Sequence, residues 1–154
     1  MTLPAPQLEH FCDLSVQLDP VQKLGEGLAG ARRIIPIIGG TVRGPKISGK
    51  ILNLGADWQT IFSNGVAELD TRYSFETDDG ALIDIRNFGY RHGSSPTMAR
   101  IAAGETVSPD DYYMRTTAHL ETGDPRYSWV NQMIFLGTGG RERNKVLMSL
   151  YCVT

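Results

Sequence analysis

In the first stretch of the chain Leu8, Cys12, Leu14, Val16 and Leu18 fall on one parity, and Glu9, Asp13, Ser15 and Gln17 on the other. This two-residue period is that of a β-strand with one buried face. Phe11 is the one apolar residue on the polar side. Ala67 to Thr77 repeats the pattern, with Ala67, Leu69, Thr71, Tyr73 and Phe75 on one face and Glu68, Asp70, Arg72, Ser74 and Glu76 on the other. Asp78-Asp79-Gly80 then predicts a tight turn, because Asp tolerates and Gly favours the positive φ that hairpins require, and Ala81 to Phe88 is the returning strand. Further strands are expected at Arg33 to Val42, Lys46 to Leu54, Tyr112 to Glu121, Trp129 to Leu136 and Val146 to Val153. Only Pro96 to Ala103 has helical spacing, with Ser95 as cap, Met98, Ile101 and Ala102 on one face and Gly104 as terminator.

Eight or nine strands, one short helix and turns such as Gly39-Gly40, Gly44-Pro45 and Gly139-Gly140 predict an all-β, antiparallel meander that closes as a barrel or folds as a sandwich. The 154 residues suit a single domain, 1–154, with its core at about 8–153. Lys plus Arg number 15 against 17 Asp plus Glu, so the chain lacks the basic excess of a nucleic-acid binder. The best apolar run, Ile34 to Ile38, is far too short to span a bilayer and contains Pro36. The N-terminus has neither the basic nor the apolar region of a signal peptide, which makes cytoplasmic the expected location. Cys12 and Cys152 are then expected as reduced, buried thiols.

Two glycine-rich strings fail as phosphate sites. Gly25 to Gly30 matches GxGxxG, but the β-branched, proline-broken Ile34-Ile35-Pro36 follows where a helix is required. Gly44 to Lys50 has the glycine and lysine of a P-loop, but Ile51 stands where Ser or Thr must hold magnesium. His10, His92 and His119 lack metal-ligand spacing, so neither a metal nor a cofactor is expected.

The candidate chemistry lies in residues that are wasteful for a plain scaffold. Asp57-Trp58 sets a carboxylate beside a large aromatic, Asp70 and Arg72 share a face, Tyr113 and Arg115 share one with Glu121, and Trp129 shares one with Asn131. Directed into a closed barrel, these faces enclose an aromatic-walled site for a small organic molecule; directed outward, they are solvated strand faces. Eleven Arg against four Lys favours the inward reading, since the guanidinium fork suits carboxylate recognition.

Gly55-Ala56-Asp57-Trp58, Asp70-Thr71-Arg72-Tyr73, Asp78-Asp79-Gly80, Tyr113-Met114-Arg115-Thr116, Glu121-Thr122-Gly123-Asp124 with Arg126-Tyr127, then Trp129, Asn131, Gly137, Arg141 and Tyr151 stand in a characteristic order. On these strings the chain resembles domain of unknown function 3237, also called uncharacterised protein family 0311, from about Phe11 to Val153. The resemblance implies a single antiparallel β-barrel of about 8–9 strands, lipocalin-like or allene-oxide-cyclase-like in outline, of bacterial origin and homo-oligomeric, with no settled activity. The chain departs from the family pattern at Met114 and at Thr117 to Leu120, both on one prospective pocket wall.

The leading expectation is a cofactor-free isomerase, cyclase or lyase acting on a small carbonyl- or carboxylate-bearing molecule. Its catalytic set is Asp57 or Asp70 moving a proton while Arg72 and Arg115 hold the developing negative oxygen. Tyr113, Glu121 and Asn131 orient polar atoms, and Trp58 and Trp129 stack on the ligand. The competing readings are a non-catalytic carrier or sensor and an oligomeric scaffold with no space inside.

Overall fold

The computed structural model describes all 154 residues. Its elements run β1 (Leu8–Leu18), β2 (Gln22–Glu26), β3 (Ala31–Arg43), β4 (Ser48–Ile51), β5 (Gly55–Ile61), β6 (Ala67–Thr77), β7 (Leu82–His92), α1 (Ser95–Ala102), β8 (Tyr113–Glu121), β9 (Phe135–Arg141) and β10 (Lys145–Val153). All strand pairs are antiparallel. The order β1-β10-β9-β8-β7-β6 continues through β4 and β5 to β3, which pairs back onto β1 and closes an eight-stranded barrel. Closure removes the open edges that invite association.

The strand expected at Lys46 to Leu54 is interrupted. β4 and β5 occupy one place in the barrel, β4 against one half of β3 and β6 and β5 against the other, with Leu52 to Leu54 leaving the sheet between them. β5 and the short β2 are therefore additions to the expected list. The GxGxxG string forms the end of β2 and the turn into β3, a plain antiparallel hairpin. The strand expected from Trp129 begins only at Phe135, because Ser128–Gln132 forms a 3-10 turn. The helix starts as expected except that Ser94, not Ser95, caps it by accepting from the Thr97 N–H.

Alternation sorts the residues. Cys12, Leu14, Val16 and Leu18 of β1, Leu69, Tyr73 and Phe75 of β6, and Ile83 and Ile85 of β7 are buried in one continuous core. The β6–β7 turn is the expected one, with Gly80 at φ +90°. In β3, Gly40 has φ +134° and lies where a Cβ would overlap the Ser15 carbonyl, so only glycine lets β3 curl onto β1.

The two ends of the barrel differ. At one, Phe11 packs on Phe135 with ring centroids 4.8 Å apart and on Trp129 at 5.6 Å, and the 3-10 turn carrying buried Val130 closes the end. The opposite end is bounded by the ends of β1, β5, β7 and β9 and the beginnings of β3, β6, β8 and β10. There the chain from β7 to β8 runs through α1, whose Ile101 joins the core.

Candidate active site at the arginine end

The inward parity becomes polar towards this second end. Ile37 and Ile35 of β3 lead to Arg33, and Asp57 of β5 leads to Gln59. Ile83 and Ile85 of β7 lead through Asn87 and Gly89 to Arg91, and Phe135 of β9 leads through Gly137 and Gly139 to Arg141. Asp57, Thr71 and Asn87 are register partners on adjacent strands, and Gln59 pairs with Leu69 one step further along.

Asp57, Thr71, Asn87 and Arg141 of this set border a cavity of about 40 Å³ inside the barrel, while Arg33, Gln59 and Arg91 stand outside its lining. Its polar lining is Asp57, Thr71, Tyr73, Asn87, Thr116 and Arg141, and its aliphatic side includes Val16, Leu18, Ile35 and Val146. Met114 and Met148 complete the wall, packed where a Cβ on Gly139 would lie. A larger concavity of about 600 Å³ lies outside, between the outer faces of β9, β10, β1 and β3 and the loop at Thr106 to Pro109. Its carboxylate Asp13 is already engaged by Ser149 and His10 and its Arg43 by backbone carbonyls, so the unspent polar chemistry is inside. Arg141 lines both spaces and so marks the rim between them.

The interior polar groups are incompletely paired. Arg33 Nε donates to Gln59 Oε1 at 2.7 Å, and Gln59 Nε2 donates to Asp57 Oδ2 at 2.5 Å. Gln59, 2% exposed, is thereby locked between a cation and a carboxylate and fixes which oxygen of Asp57 is left free. That oxygen, Oδ1, is fully buried without a partner although Asp57 as a residue is partly exposed. The Tyr73 hydroxyl, Asn87 Oδ1, Thr116 Oγ1 and Arg91 Nε are likewise buried without protein partners. Native proteins rarely tolerate this, and the groups concerned are candidates for chemistry or ligand contact.

Electrostatics follow from the burial. Loss of hydration raises the Asp57 pKa, opposed in decreasing order by the Gln59 hydrogen bond, the Thr71 hydroxyl and the charges of Arg91 and Arg33. Arg91 is pushed down to about 10, first by burial and then by its like-charged neighbours Arg33 and Arg141. Burial also lowers Arg33 and Arg141 and raises the Tyr73 phenol. None of the seven ion pairs of the chain includes Asp57, Arg33, Arg91 or Arg141.

The sequence-based candidates divide on strand parity. Asp57 points inward. Asp70 and Arg72 lie on β6 on the parity opposite to buried Leu69 and Tyr73, hence on the outer surface, and form no ion pair with each other. Trp58 is outward on β5 beside Asp70. Tyr113, Arg115 and Glu121 are exposed on β8, with Arg115 donating to the Met114 carbonyl and lying over the Tyr113 ring at 5.5 Å. Trp129 and Asn131 belong to the opposite end. Trp129 covers Phe11 under Lys46, while Asn131 accepts from Thr122 N–H and donates to Thr122 O, both at 2.9 Å. The expected convergence of Asp57, Arg72, Arg115 and Trp129 around a void of a few hundred cubic ångströms does not occur. Burying Arg72 or Arg115 would turn Leu69, Tyr73 and Met114 out to water.

No group of three His, Cys, Asp or Glu side chains has the geometry to hold a metal, and no helix is long and apolar enough to cross a membrane. Cys12 and Cys152 are free thiols, and burial pushes the Cys12 thiol up to about 12.

Comparison with known proteins gives a consistent result. The model of a family described as "Protein of unknown function (DUF3237)" matches residues 6–153. A UPF0311 protein of Rhodopseudomonas palustris strain TIE-1 is 39% identical over 150 residues, 97% of this chain and 98% of that protein. Among solved structures, a β-barrel-like protein from Acinetobacter baumannii AYE has 47% identity and a TM-score of 0.88, with 99% of each chain covered. The conserved protein of unknown function RPA1785 from Rhodopseudomonas palustris has 38% identity and a TM-score of 0.94, covering 99% of this chain and 100% of that one.

Proposed function

This chain belongs to the DUF3237 family, and on that premise we propose that the arginine end of its barrel binds a small organic molecule and moves a proton on it. The observation that carries the reading is the free, buried Oδ1 of Asp57, a residue that lines the cavity together with Arg141 and has Arg91 and Arg33 as further charged neighbours. A carboxylate of raised pKa holds its proton to higher pH and, once ionised, is a stronger base than an ordinary aspartate. Fixed cations beside it stabilise the negative oxygen that forms when a proton leaves the carbon next to a carbonyl. In this reading Asp57 is the catalytic residue, Gln59, itself held by Arg33, donates to its Oδ2, Arg141 lines the cavity where the negative charge develops, and Arg91 adds its charge from beside it. Isomerisation, cyclisation and elimination are the reactions such a set performs by proton transfer alone.

The test is a native mass spectrum of protein purified from its own host, followed by incubation of the complex in D₂O and extraction of the ligand. The proposal expects a bound molecule that gains deuterium on wild-type protein and not on Asp57→Asn. A molecule that is retained but never exchanges identifies a carrier, and protein that carries no molecule overturns the interior site.

A further inference from the structure

Arg91 is 6% exposed, its Nε has no protein partner, and it forms no ion pair. Its charged neighbours include two further cations, Arg33 and Arg141, and one carboxylate, Asp57. A buried cation without a counter-charge is costly. Arg33 spends its Nε on Gln59, whereas the one hydrogen bond from the Arg141 side chain is a long contact of 3.5 Å to the Arg143 carbonyl. Arg141 thus lines a cavity whose other side is Val16, Leu18, Ile35, Val146, Met114 and Met148, and Arg91, in the inward register of β7 opposite the lining residue Met114, lies next to that lining with Arg141 and Asp57 as charged neighbours. The chain supplies positive charge in excess at one edge of the space and hydrocarbon at the other.

We propose that the ligand is an organic monoanion, a carboxylate with a short apolar body, whose oxygen pair is bound by Arg91 and Arg141 and whose body lies against the aliphatic wall. The inference rests on the interior-site reading and adds the charge and orientation of the occupant. The guanidinium fork matches a carboxylate in two parallel hydrogen bonds, which a neutral amide cannot reproduce. A cavity of about 40 Å³ takes the carboxylate head and little more. The body is accommodated by rotation of Met114 and Met148, unbranched side chains that repack at low cost.

The test compares butyrate with butyramide, which are close in shape and differ in charge, on the whole protein. Two NMR signals are followed: the Arg side-chain Nε–H and the methionine methyls. Butyrate is expected to shift the Arg91 Nε–H together with the Met114 and Met148 methyls, with butyramide weaker by about tenfold or more. Arg91→Met and Arg141→Gln should each weaken butyrate and leave butyramide unchanged. Should butyramide bind as tightly as butyrate, the anion is wrong while the cavity reading stands. If neither compound moves the methionine methyls or the arginine signals, the cavity reading falls as well. Butyrate shifts that persist in both variants overturn the assignment of the arginines. The wild-type comparison stands even if a variant fails to fold.

Discussion

The two ends of this barrel are built from the same alternating strands, yet one is finished and the other is not. At the Phe135 end every inward position is apolar or hydrogen-bonded: Phe11, Phe135 and Trp129 interlock, and Asn131 satisfies both its amide groups on Thr122. At the arginine end Arg91, Asp57, Tyr73, Asn87 and Thr116 each leave a buried polar atom unpaired. The first arrangement is what stability selects. The second is stability given up, which proteins do where a site must recognise something.

The contrast is broken most forcefully by exchanging the roles of the ends. Phe135→Ala removes a fully buried ring from the plug and should cost about 3–5 kcal/mol in urea unfolding. Arg91→Met removes a buried cation lacking a partner and should change stability by less than about 1 kcal/mol, or increase it. Equal losses from the two variants would mean that Arg91 is a structural group. Next in size is chemistry: Asp57→Asn should lower turnover of any substrate found by about 10²–10⁴-fold while ligand affinity is largely kept. Asp70→Asn, on the outer face, should leave the rate alone.

A smaller effect sharpens the electrostatic part. The folded-state pKa of Asp57 lies above its unfolded value, so the native chain holds this proton more tightly than the unfolded one. Its contribution therefore falls as pH rises from the ordinary aspartate range of about 4 through the raised pKa. Wild type should lose stability relative to Asp57→Asn across that window, as read from urea midpoints at matched pH values. Least in magnitude, Gln59→Leu removes the hydrogen bond that favours the ionised carboxylate, so the acidic limb of the pH–rate profile should move to higher pH. A lowered rate with no movement of that limb would reduce Gln59 to a packing residue.

Much of the fold was legible because one-sided burial imposes a period of two, as in Leu69, Tyr73 and Phe75. The same pattern placed Arg72 on the polar face with Asp70, and the structure keeps it there. The break at Leu52 to Leu54 was hidden because Leu52 and Leu54 continue the apolar character of Ile51 and no proline marks the end of β4. The arginine cluster was missed although a signal existed. Carrying the parity of Ile83 and Ile85 through Asn87 and on past Phe88 reaches Gly89 and Arg91, and the parity of Ile35 and Ile37 extends back to Arg33. Charged residues in the buried register of a strand stand out more than charged residues near tryptophan. Their convergence across β3, β7 and β9 is a property of barrel closure, which no local spacing records.

The proposed site depends on burial outweighing the Gln59 and Thr71 hydrogen bonds and the charges of Arg91 and Arg33 at Asp57, and a ¹³C titration of its carboxyl carbon measures that balance directly. A midpoint above the ordinary value of about 3.9, rising further when butyrate is present, is the predicted result. A midpoint below that value would show that the arginines hold Asp57 ionised as part of a fixed ion cluster, and the proposed proton-transfer site would be contradicted.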